Sequence, residues 1–247
     1  MRRLVVQAIG SGPRVVLVHG SVAGGMGTWA AQRELSHRYT LEVVVRPGFP
    51  PNEPVEEASF EWDAPLVAEQ LGSGAHLVGH SYGGVVSLLA AALRPEAVRS
   101  LTVIEPPCMK VAAGDPAVDE FVAGGARWWE AGPRDPEEFL RGFLRSVGSD
   151  YDPPSPLPKA VLQGARTLMV ERYPWDAEIP LDALAAAPFP KLVISGAHGA
   201  PFDATCDVLE ARLGAERAVV PGAGHSCQRA PGFNAVLAGF LERADSP

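Results

Sequence analysis

Cysteines are scarce in this sequence, and their spacing disfavours both a disulfide framework and a metal site. The 247 residues include three cysteines, Cys108, Cys206 and Cys227. The number is odd, they form no C-x-x-C pair, and no histidine lies at zinc-site spacing from any of them. We therefore expect reduced thiols in a cytoplasmic protein, with no metal and no cofactor.

Long apolar runs and an excess of positive charge are also missing. No apolar run approaches the ~20 residues of a membrane span, and the one after Met1, Arg2 and Arg3 is too short for a signal peptide. The formal net charge is −8, whereas nucleic acids and anionic membranes attract a basic protein face. The expected partner is a small-molecule substrate, not a nucleic acid or a membrane, and the oligomeric state is left open.

The sequence does contain an alternation of strand-like and helix-like segments. Most strand-like segments are continuously apolar, which is typical of strands buried on both faces. They cover residues 4–9, 14–19, 41–45, 75–79, 100–105, 191–195 and 217–220. The helix-like segments cover residues 28–37, 59–71, 82–93, 203–213 and 232–243. This order predicts an α/β fold with a mostly parallel, doubly wound sheet. The short connection between the first two strands predicts that they pair antiparallel.

The alternation stops between Pro107 and Pro188. This segment has helical periodicity, many prolines and several aromatic residues, and it contains no convincing strand. We predict that residues 107–188 form a helical cap over the carboxyl-terminal edge of the sheet, where open α/β folds bind ligands. Residues 1–106 and 189–247 then form the core. The alternative is that these helices belong to the core and have no lid role.

The most informative motif is Gly79-His80-Ser81-Tyr82-Gly83, which stands between a predicted buried strand and a predicted helix. A serine flanked by glycines at a sharp strand-to-helix turn is typical of a nucleophile elbow. The turn strains the backbone at Ser81, and glycines two residues away remove Cβ atoms that would clash. Because the bare motif also arises by chance, the prediction depends on the strand and helix around it.

In its motifs and their order the sequence resembles the α/β-hydrolase superfamily, in particular its serine hydrolases. Residues 15–21 resemble the strand that ends in His-Gly, and residues 79–84 resemble the nucleophile elbow. Residues 192–196 resemble the strand that usually leads to the acid, and residues 219–225 resemble the last strand and the loop of the catalytic histidine. The resemblance implies a hydrolase that cleaves an ester, thioester or lactone through an acyl-enzyme. The aromatic residues of the cap indicate a largely apolar substrate.

The nucleophile needs a general base, and six histidines are available. A serine hydroxyl is a poor nucleophile until a base takes its proton. His225 follows a predicted strand in a glycine-rich loop that is free to fold back over the sheet edge, so we predict it as the base. His198 lies in a loop near the same edge and is the alternative. His80 and His19 are expected to be structural.

An oxyanion intermediate needs two convergent backbone N–H groups. Tyr82 starts the helix after the nucleophile and is expected to offer one of them. By resemblance, Ser21, which follows the His-Gly pair, offers the other. Residues 46–50 form a loop that borders this site and is expected to affect the shape of the pocket.

The identity of the triad acid is less direct. In the superfamily an aspartate commonly follows the glycine of the later strand by three positions, but here that position is Gly199. Asp203 lies further along the same loop and is also suited to cap a helix. Glu105 ends a buried strand, where a carboxylate is costly without a partner, and haloalkane dehalogenases place their acid after this strand. We predict Glu105 as the acid, with Asp203 in reserve.

The same fold and site are compatible with other functions. One alternative is a cofactor-free lyase or cyclase, and another is a non-catalytic ligand-binding protein. The presence of Ser81 and His225 weighs against the second alternative. Dehalogenation is disfavoured because that chemistry uses a carboxylate at position 81.

Overall fold

The computed structural model describes residues 3–246, and within this range seven strands form one sheet. The strands are β1 (Val5–Ile9), β2 (Arg14–Val18), β3 (Thr40–Val45), β4 (Ala75–His80), β5 (Val98–Ile104), β6 (Lys191–Ser195) and β7 (Glu216–Val219). Their order is β1-β3-β2-β4-β5-β6-β7, with β1 antiparallel to β3 and the other neighbouring pairs parallel. The predicted α/β class and mostly parallel sheet are confirmed. The predicted core ranges also include residues 1, 2 and 247, which lie outside the described residues.

The predicted antiparallel pairing of the first two strands is wrong, because β3 lies between β1 and β2. The connection has four residues, which extend to about 14 Å, whereas strands two positions apart are separated by about 10 Å. A short connection can therefore cross one intervening strand. Gly10 and Gly12 permit this crossing, since both have positive φ and a Cβ atom at either would lie 2.2–2.3 Å from a backbone oxygen.

Helices cover both faces of the sheet. Within the described residues they are α1 (Met26–Trp29), α2 (Phe60–Gln70), α3 (Tyr82–Leu93), α4 (Pro116–Ala131), α5 (Pro136–Ser146), α6 (Lys159–Met169), α7 (Leu181–Ala186), α8 (Ala200–Leu213) and α9 (Phe233–Asp245). Successive side chains of β2 alternate between two cores. Val16 and Val18 pack with residues of α2, α3 and α8, whereas Val15 and Leu17 pack with residues of α9. Among residues 3–246, no helix has both the length and the apolar character needed to cross a membrane.

Two of the predicted helices differ most from the structure. The helix predicted over residues 28–37 is the short α1 followed by a 3-10 helix over Ala30–His37. Helix α8 begins at Ala200, three residues before the predicted start at Asp203. Its first turn contains Pro201, whose missing N–H and fixed φ are tolerated at that position.

Helices α4 to α7 lie between β5 and β6, within the predicted insertion. Residues of the segment 107–188 contribute most of two further hydrophobic clusters. Trp129 of α4 makes edge-on contacts with Phe139, Phe143 and Trp175, with ring centroids 5.1–5.8 Å apart. The division of the chain into a core and a cap at residues 107 and 188 stays a prediction.

Candidate active site

Ser81 stands at the turn from β4 to α3. Its backbone has φ 54° and ψ −126°, a conformation that L-residues rarely adopt. Such strained backbone conformations occur mainly at functional sites. A Cβ atom at Gly79 would lie 2.3 Å from the Gly83 oxygen, and one at Gly83 would lie 2.3 Å from the Val18 oxygen. The two glycines are therefore required sterically, as the nucleophile-elbow pattern predicts.

His225 reaches Ser81 from the loop between β7 and α9. Its Nε2 lies 2.9 Å from Ser81 Oγ. Burial lowers the pKa of His225 to about 3, and the nearby His198 acts in the same direction. The imidazole is therefore neutral at pH 7, the form that can accept a proton from the serine hydroxyl.

His80 precedes Ser81 but has a different environment. Its Nε2 donates a hydrogen bond to the backbone oxygen of His225, at 2.8 Å. Burial lowers the pKa of His80 to about 3, so the ring stays neutral. The contact holds the backbone of the histidine loop against the elbow, which agrees with the structural role expected for His80.

Glu105 lies on the other side of His225, immediately after β5. Its side chain is fully buried, its backbone φ is 50°, and its Oε2 lies 3.3 Å from His225 Nδ1. The other oxygen, Oε1, accepts a hydrogen bond from the Gly196 N–H at 2.7 Å. Burial raises the pKa of Glu105 to about 7, although the Gly196 N–H and His198 oppose the shift. The structure thus brings Ser81, His225 and Glu105 into one chain of contacts.

Asp203, the reserve candidate for the acid, lies elsewhere in the same region. Its Oδ1 accepts a hydrogen bond from the Ser195 hydroxyl at 2.9 Å and lies 3.7 Å from the Arg217 guanidinium. Among residues 3–246, no hydrogen bond or ion pair between Asp203 and His225 is found. Asp203 also does not cap α8, whose N-cap residue is Gly199.

His198 contacts the same carboxylate oxygen as His225. Its Nδ1 lies 3.5 Å from Glu105 Oε2, and its Nε2 donates to the Val147 oxygen at 3.0 Å. The three groups offer nitrogen and oxygen atoms within 4.8 Å of one another, the spacing of a metal centre. We assign Glu105 and His225 to the contact chain of Ser81, because His225 already uses both ring nitrogens on Ser81 and Glu105. His198 Nδ1 lies beside this chain and has no hydrogen-bond partner among the described residues. Sequence reasoning considered His198 as a base and missed this contact.

The two expected oxyanion donors flank the nucleophile. Tyr82 is the first residue of α3, so its N–H is not used within the helix. Ser21 follows Gly20, and a Cβ atom at Gly20 would lie 3.0 Å from Ser81 Cβ. The absence of a side chain at Gly20 therefore lets the loop after β2 approach the nucleophile.

The peptide between Gly20 and Ser21 is held by two donors. The Gly20 oxygen accepts from Arg46 Nη1 at 2.9 Å and from His19 Nδ1 at 2.7 Å. Because His19 Nε2 accepts from the Arg46 N–H at 3.0 Å, His19 carries its proton on Nδ1. A peptide N–H points opposite to its C=O, so these bonds also fix the direction of the Ser21 N–H.

Arg46 was not predicted as a site residue. It is fully buried and also binds Asp63 at 2.9 Å and Glu171 at 2.6 Å. Its guanidinium lies 4.3 Å from the centre of the Tyr82 ring. The available signal was a cation directly after the apolar residues 43–45 of β3, a position where a buried charge is costly unless it has partners.

Comparison with known proteins assigns the chain to a family. A sequence model described as the Alpha/beta hydrolase family matches residues 15–235. The chain belongs to this family. An Aeromonas hydrophila protein named pimeloyl-[acyl-carrier protein] methyl ester esterase is 32% identical over 187 residues, which are 73% of this chain and 67% of that protein. Its Aeromonas salmonicida counterpart is 33% identical over 153 residues, which cover 59% of each chain and so less than two thirds of the relative.

Solved structures with the α/β-hydrolase fold superpose on nearly the whole of this chain. A structure described as Est816, an N-acyl homoserine lactone degrading enzyme, has a TM-score of 0.71 at 20% identity and covers 97% of both chains. A structure of BpoC from Mycobacterium tuberculosis H37Rv, described as a putative non-heme bromoperoxidase, has a TM-score of 0.74 at 19% identity. It covers 99% of this chain and 97% of its own. At these identities the likeness supports the fold alone.

Two cavities meet at Ser81 and His225. The larger, of about 240 Å³, lies between the loop after β2, helix α5 and the 3-10 helix Cys227–Arg229. The smaller, of about 30 Å³, is bordered mainly by aromatic rings. Phe143 and Val147 line both cavities and therefore stand between them.

Proposed function

We propose that the protein is a serine hydrolase that cleaves an ester, thioester or lactone through an acyl-enzyme. The observation that carries this proposal is the contact of 2.9 Å between Ser81 Oγ and His225 Nε2, with Glu105 on the opposite ring nitrogen. This is the order of contacts that serine hydrolases require. The family assignment and the esterase names of its relatives add support.

In the proposed reaction His225 takes the proton of Ser81 as its oxygen attacks the carbonyl carbon. The tetrahedral intermediate carries a negative oxygen, which the N–H groups of Ser21 and Tyr82 stabilise. His225 then gives its proton to the leaving group, and an acyl-enzyme remains. A water molecule, activated by His225 in the same way, releases the acid and restores Ser81.

In this cycle Glu105 keeps His225 in the tautomer that carries its proton on Nδ1. An ionised carboxylate accepts the Nδ1–H, which leaves Nε2 free to accept the serine proton. If Glu105 is protonated, it instead donates to Nδ1 and the imidazole proton moves to Nε2. The Nε2 atom that faces Ser81 then already carries a proton and cannot accept the serine proton. The proposed activity therefore requires an ionised Glu105.

The cavities support a substrate with one larger and one smaller group on either side of the reacting bond. A volume of about 240 Å³ holds a chain or ring of several carbons, whereas about 30 Å³ holds a group of very few atoms. The walls are mainly apolar, with Leu144, Val161 and Phe143 around the larger cavity. We infer a largely apolar small-molecule substrate.

A serine-reactive fluorophosphonate and a chain-length series of p-nitrophenyl esters test this proposal. The wild-type protein should be labelled at Ser81 and should hydrolyse the esters, and Ser81→Ala should do neither while it retains the wild-type melting temperature. Absence of labelling in folded wild-type protein would overturn the proposal. Labelling without turnover of any ester, thioester or lactone would instead favour a lyase, a cyclase or a ligand-binding protein.

A further inference from the structure

The largely apolar wall of the smaller cavity includes two residues that each carry an unpartnered polar atom. Glu171 and Trp129 both line it, together with Phe121, Trp175 and Phe202. Glu171 Oε2 and Trp129 Nε1 are buried and have no hydrogen-bond partner among the described residues. Buried polar atoms are nearly always bonded, and an exception at a cleft calls for a physical explanation.

The charge on Glu171 is only partly balanced. Glu171 Oε1 accepts from Arg46 at 2.6 Å, but Arg46 also binds Asp63, so one cation serves two buried carboxylates. Burial raises the pKa of Glu171, and Arg46 opposes that shift. The Ser21 hydroxyl also favours the charged form, yet Oε2 is left without a hydrogen bond of normal geometry. This oxygen is suited to accept a further hydrogen bond.

The position of the cavity limits what can use these atoms. Ser81 and Tyr82 line the same cavity, and its volume of about 30 Å³ leaves room for very few atoms. A group that bonds to Glu171 therefore lies only a few bonds from the carbonyl carbon that Ser81 attacks. The carboxylate needs a donor and the indole N–H needs an acceptor, and a hydroxyl is the smallest organic group that provides both.

We propose that the smaller cavity binds a hydroxyl group of the substrate, close to the scissile carbonyl. The hydroxyl donates to Glu171 Oε2 and accepts from Trp129 Nε1–H, while its carbon chain contacts the aromatic walls. This inference rests on the proposed hydrolase function and narrows its substrates to short hydroxy esters. A site built to bond a hydroxyl discriminates against the analogue that lacks it, because the polar atoms of the site then stay unpaired.

Matched pairs of esters measure this discrimination directly. The pairs are methyl 3-hydroxybutyrate with methyl butyrate, methyl glycolate with methyl acetate, and ethylene glycol monoacetate with ethyl acetate. The third pair covers a hydroxyl on the alcohol side of the ester. For at least one pair, wild-type kcat/KM for the hydroxy ester should exceed that of its partner by on the order of tenfold to a hundredfold, the usual effect of a bond to a charged group.

Variants test which residues cause the preference for hydroxy esters. Glu171→Gln should lower the ratio of kcat/KM between the hydroxy ester and its partner about tenfold or more, because it removes the charged acceptor and retains the side-chain size. Trp129→Phe keeps a ring but removes the N–H, and it should also lower the ratio. Asp63→Asn is the matched control, since it also removes one carboxylate from Arg46 but does not line the cavity, and it should keep the wild-type ratio.

The outcomes separate this inference from the proposed function. Hydrolysis of all esters with ratios near one would overturn the hydroxyl site and leave the hydrolase intact, whereas no hydrolysis and no labelling would overturn both. A ratio that falls equally in Asp63→Asn would mean that Arg46, and not Glu171, is responsible. A clear preference for a 3-amino ester over the hydroxy ester would reassign the site to an ammonium group. If Glu171→Gln does not fold, Trp129→Phe decides.

Discussion

Replacement of Glu105 by glutamine is the sharpest test of the proposed catalytic arrangement. Glutamine keeps the size of the side chain, and its Oε1 can still accept the Gly196 N–H that Glu105 accepts at 2.7 Å. The change therefore removes the charge beside His225 with little effect on packing. It also places an amide next to Nδ1, which can favour the wrong imidazole tautomer.

The separation of the two groups sets the expected size of the effect. When His225 becomes protonated in the reaction, its Nδ1 lies 3.3 Å from a buried carboxylate oxygen. At an effective dielectric constant of about 20, opposite charges at this distance attract by about 5 kcal/mol. Because about 1.4 kcal/mol corresponds to a tenfold change in rate, we expect kcat to fall by about 10³- to 10⁴-fold.

The assay is steady-state hydrolysis of a p-nitrophenyl ester, with thermal unfolding as a check on the fold. The matched control is Asp203→Asn, which also neutralises one carboxylate of the region but contacts Ser195 and Arg217 instead of the imidazole. It should stay within about threefold of wild type, as expected for a residue that does not touch the reacting groups. A large loss in Asp203→Asn, with Glu105→Gln near wild type, would refute the assignment of the acid.

Three further predictions follow from the surroundings of the site. His198 lowers the pKa of Glu105, whereas the charge of Asp203 raises it. His198→Phe removes the first effect and should therefore raise the pKa of Glu105. Since activity requires ionised Glu105, the acid limb of the kcat/KM profile, expected near pH 7, should move to higher pH, and an unmoved limb would contradict the role of His198. Arg46→Met removes the cation that binds two buried carboxylates and should lower the free energy of unfolding in urea by about 3–5 kcal/mol. A loss below about 1 kcal/mol would mean that the network is not stabilising. Phe143→Ala removes a ring that stands between the two cavities and should shift the preference in a p-nitrophenyl ester series to longer acyl chains. An unchanged chain-length preference would contradict this role of Phe143.

The features that could be predicted from the sequence depend on local backbone geometry. The elbow is recognisable because its serine, with φ near 54°, stands between two glycines that the turn requires. A Cβ atom at Gly79 would meet the Gly83 oxygen within the same five residues, whereas one at Gly83 would meet the Val18 oxygen of β2. The strands are recognisable because those buried on both faces are apolar throughout. His225 was predicted because few other histidines lie in a loop that can approach the elbow.

The features that were missed depend on contacts between distant segments. Arg46 and Glu171 are 125 residues apart in sequence yet share a hydrogen bond of 2.6 Å. Neither residue lies in a recognisable motif, and a charged residue in a loop is usually exposed. The pairing of β1 with β3 was missed for the same reason, because loop length limits the distance between strands but does not choose the neighbour.

The position of the acid shows how a parallel sheet can relocate a catalytic group. Strands β5 and β6 are neighbours and end at the same edge, so a carboxylate after either strand can reach a loop that folds over that edge. In this chain Glu105 follows β5, and the backbone N–H of Gly196, directly after β6, binds its Oε1. Strand β6 thus contributes a hydrogen-bond donor to Glu105, whereas in the superfamily the acid itself more often follows this strand.

Restoring an aspartate at the usual position, as Gly199→Asp in a Glu105→Gln background, should recover part of the lost kcat if only the position of the charge matters. No recovery would mean that the buried setting of Glu105, including its contact with His198 at 3.5 Å, is also required.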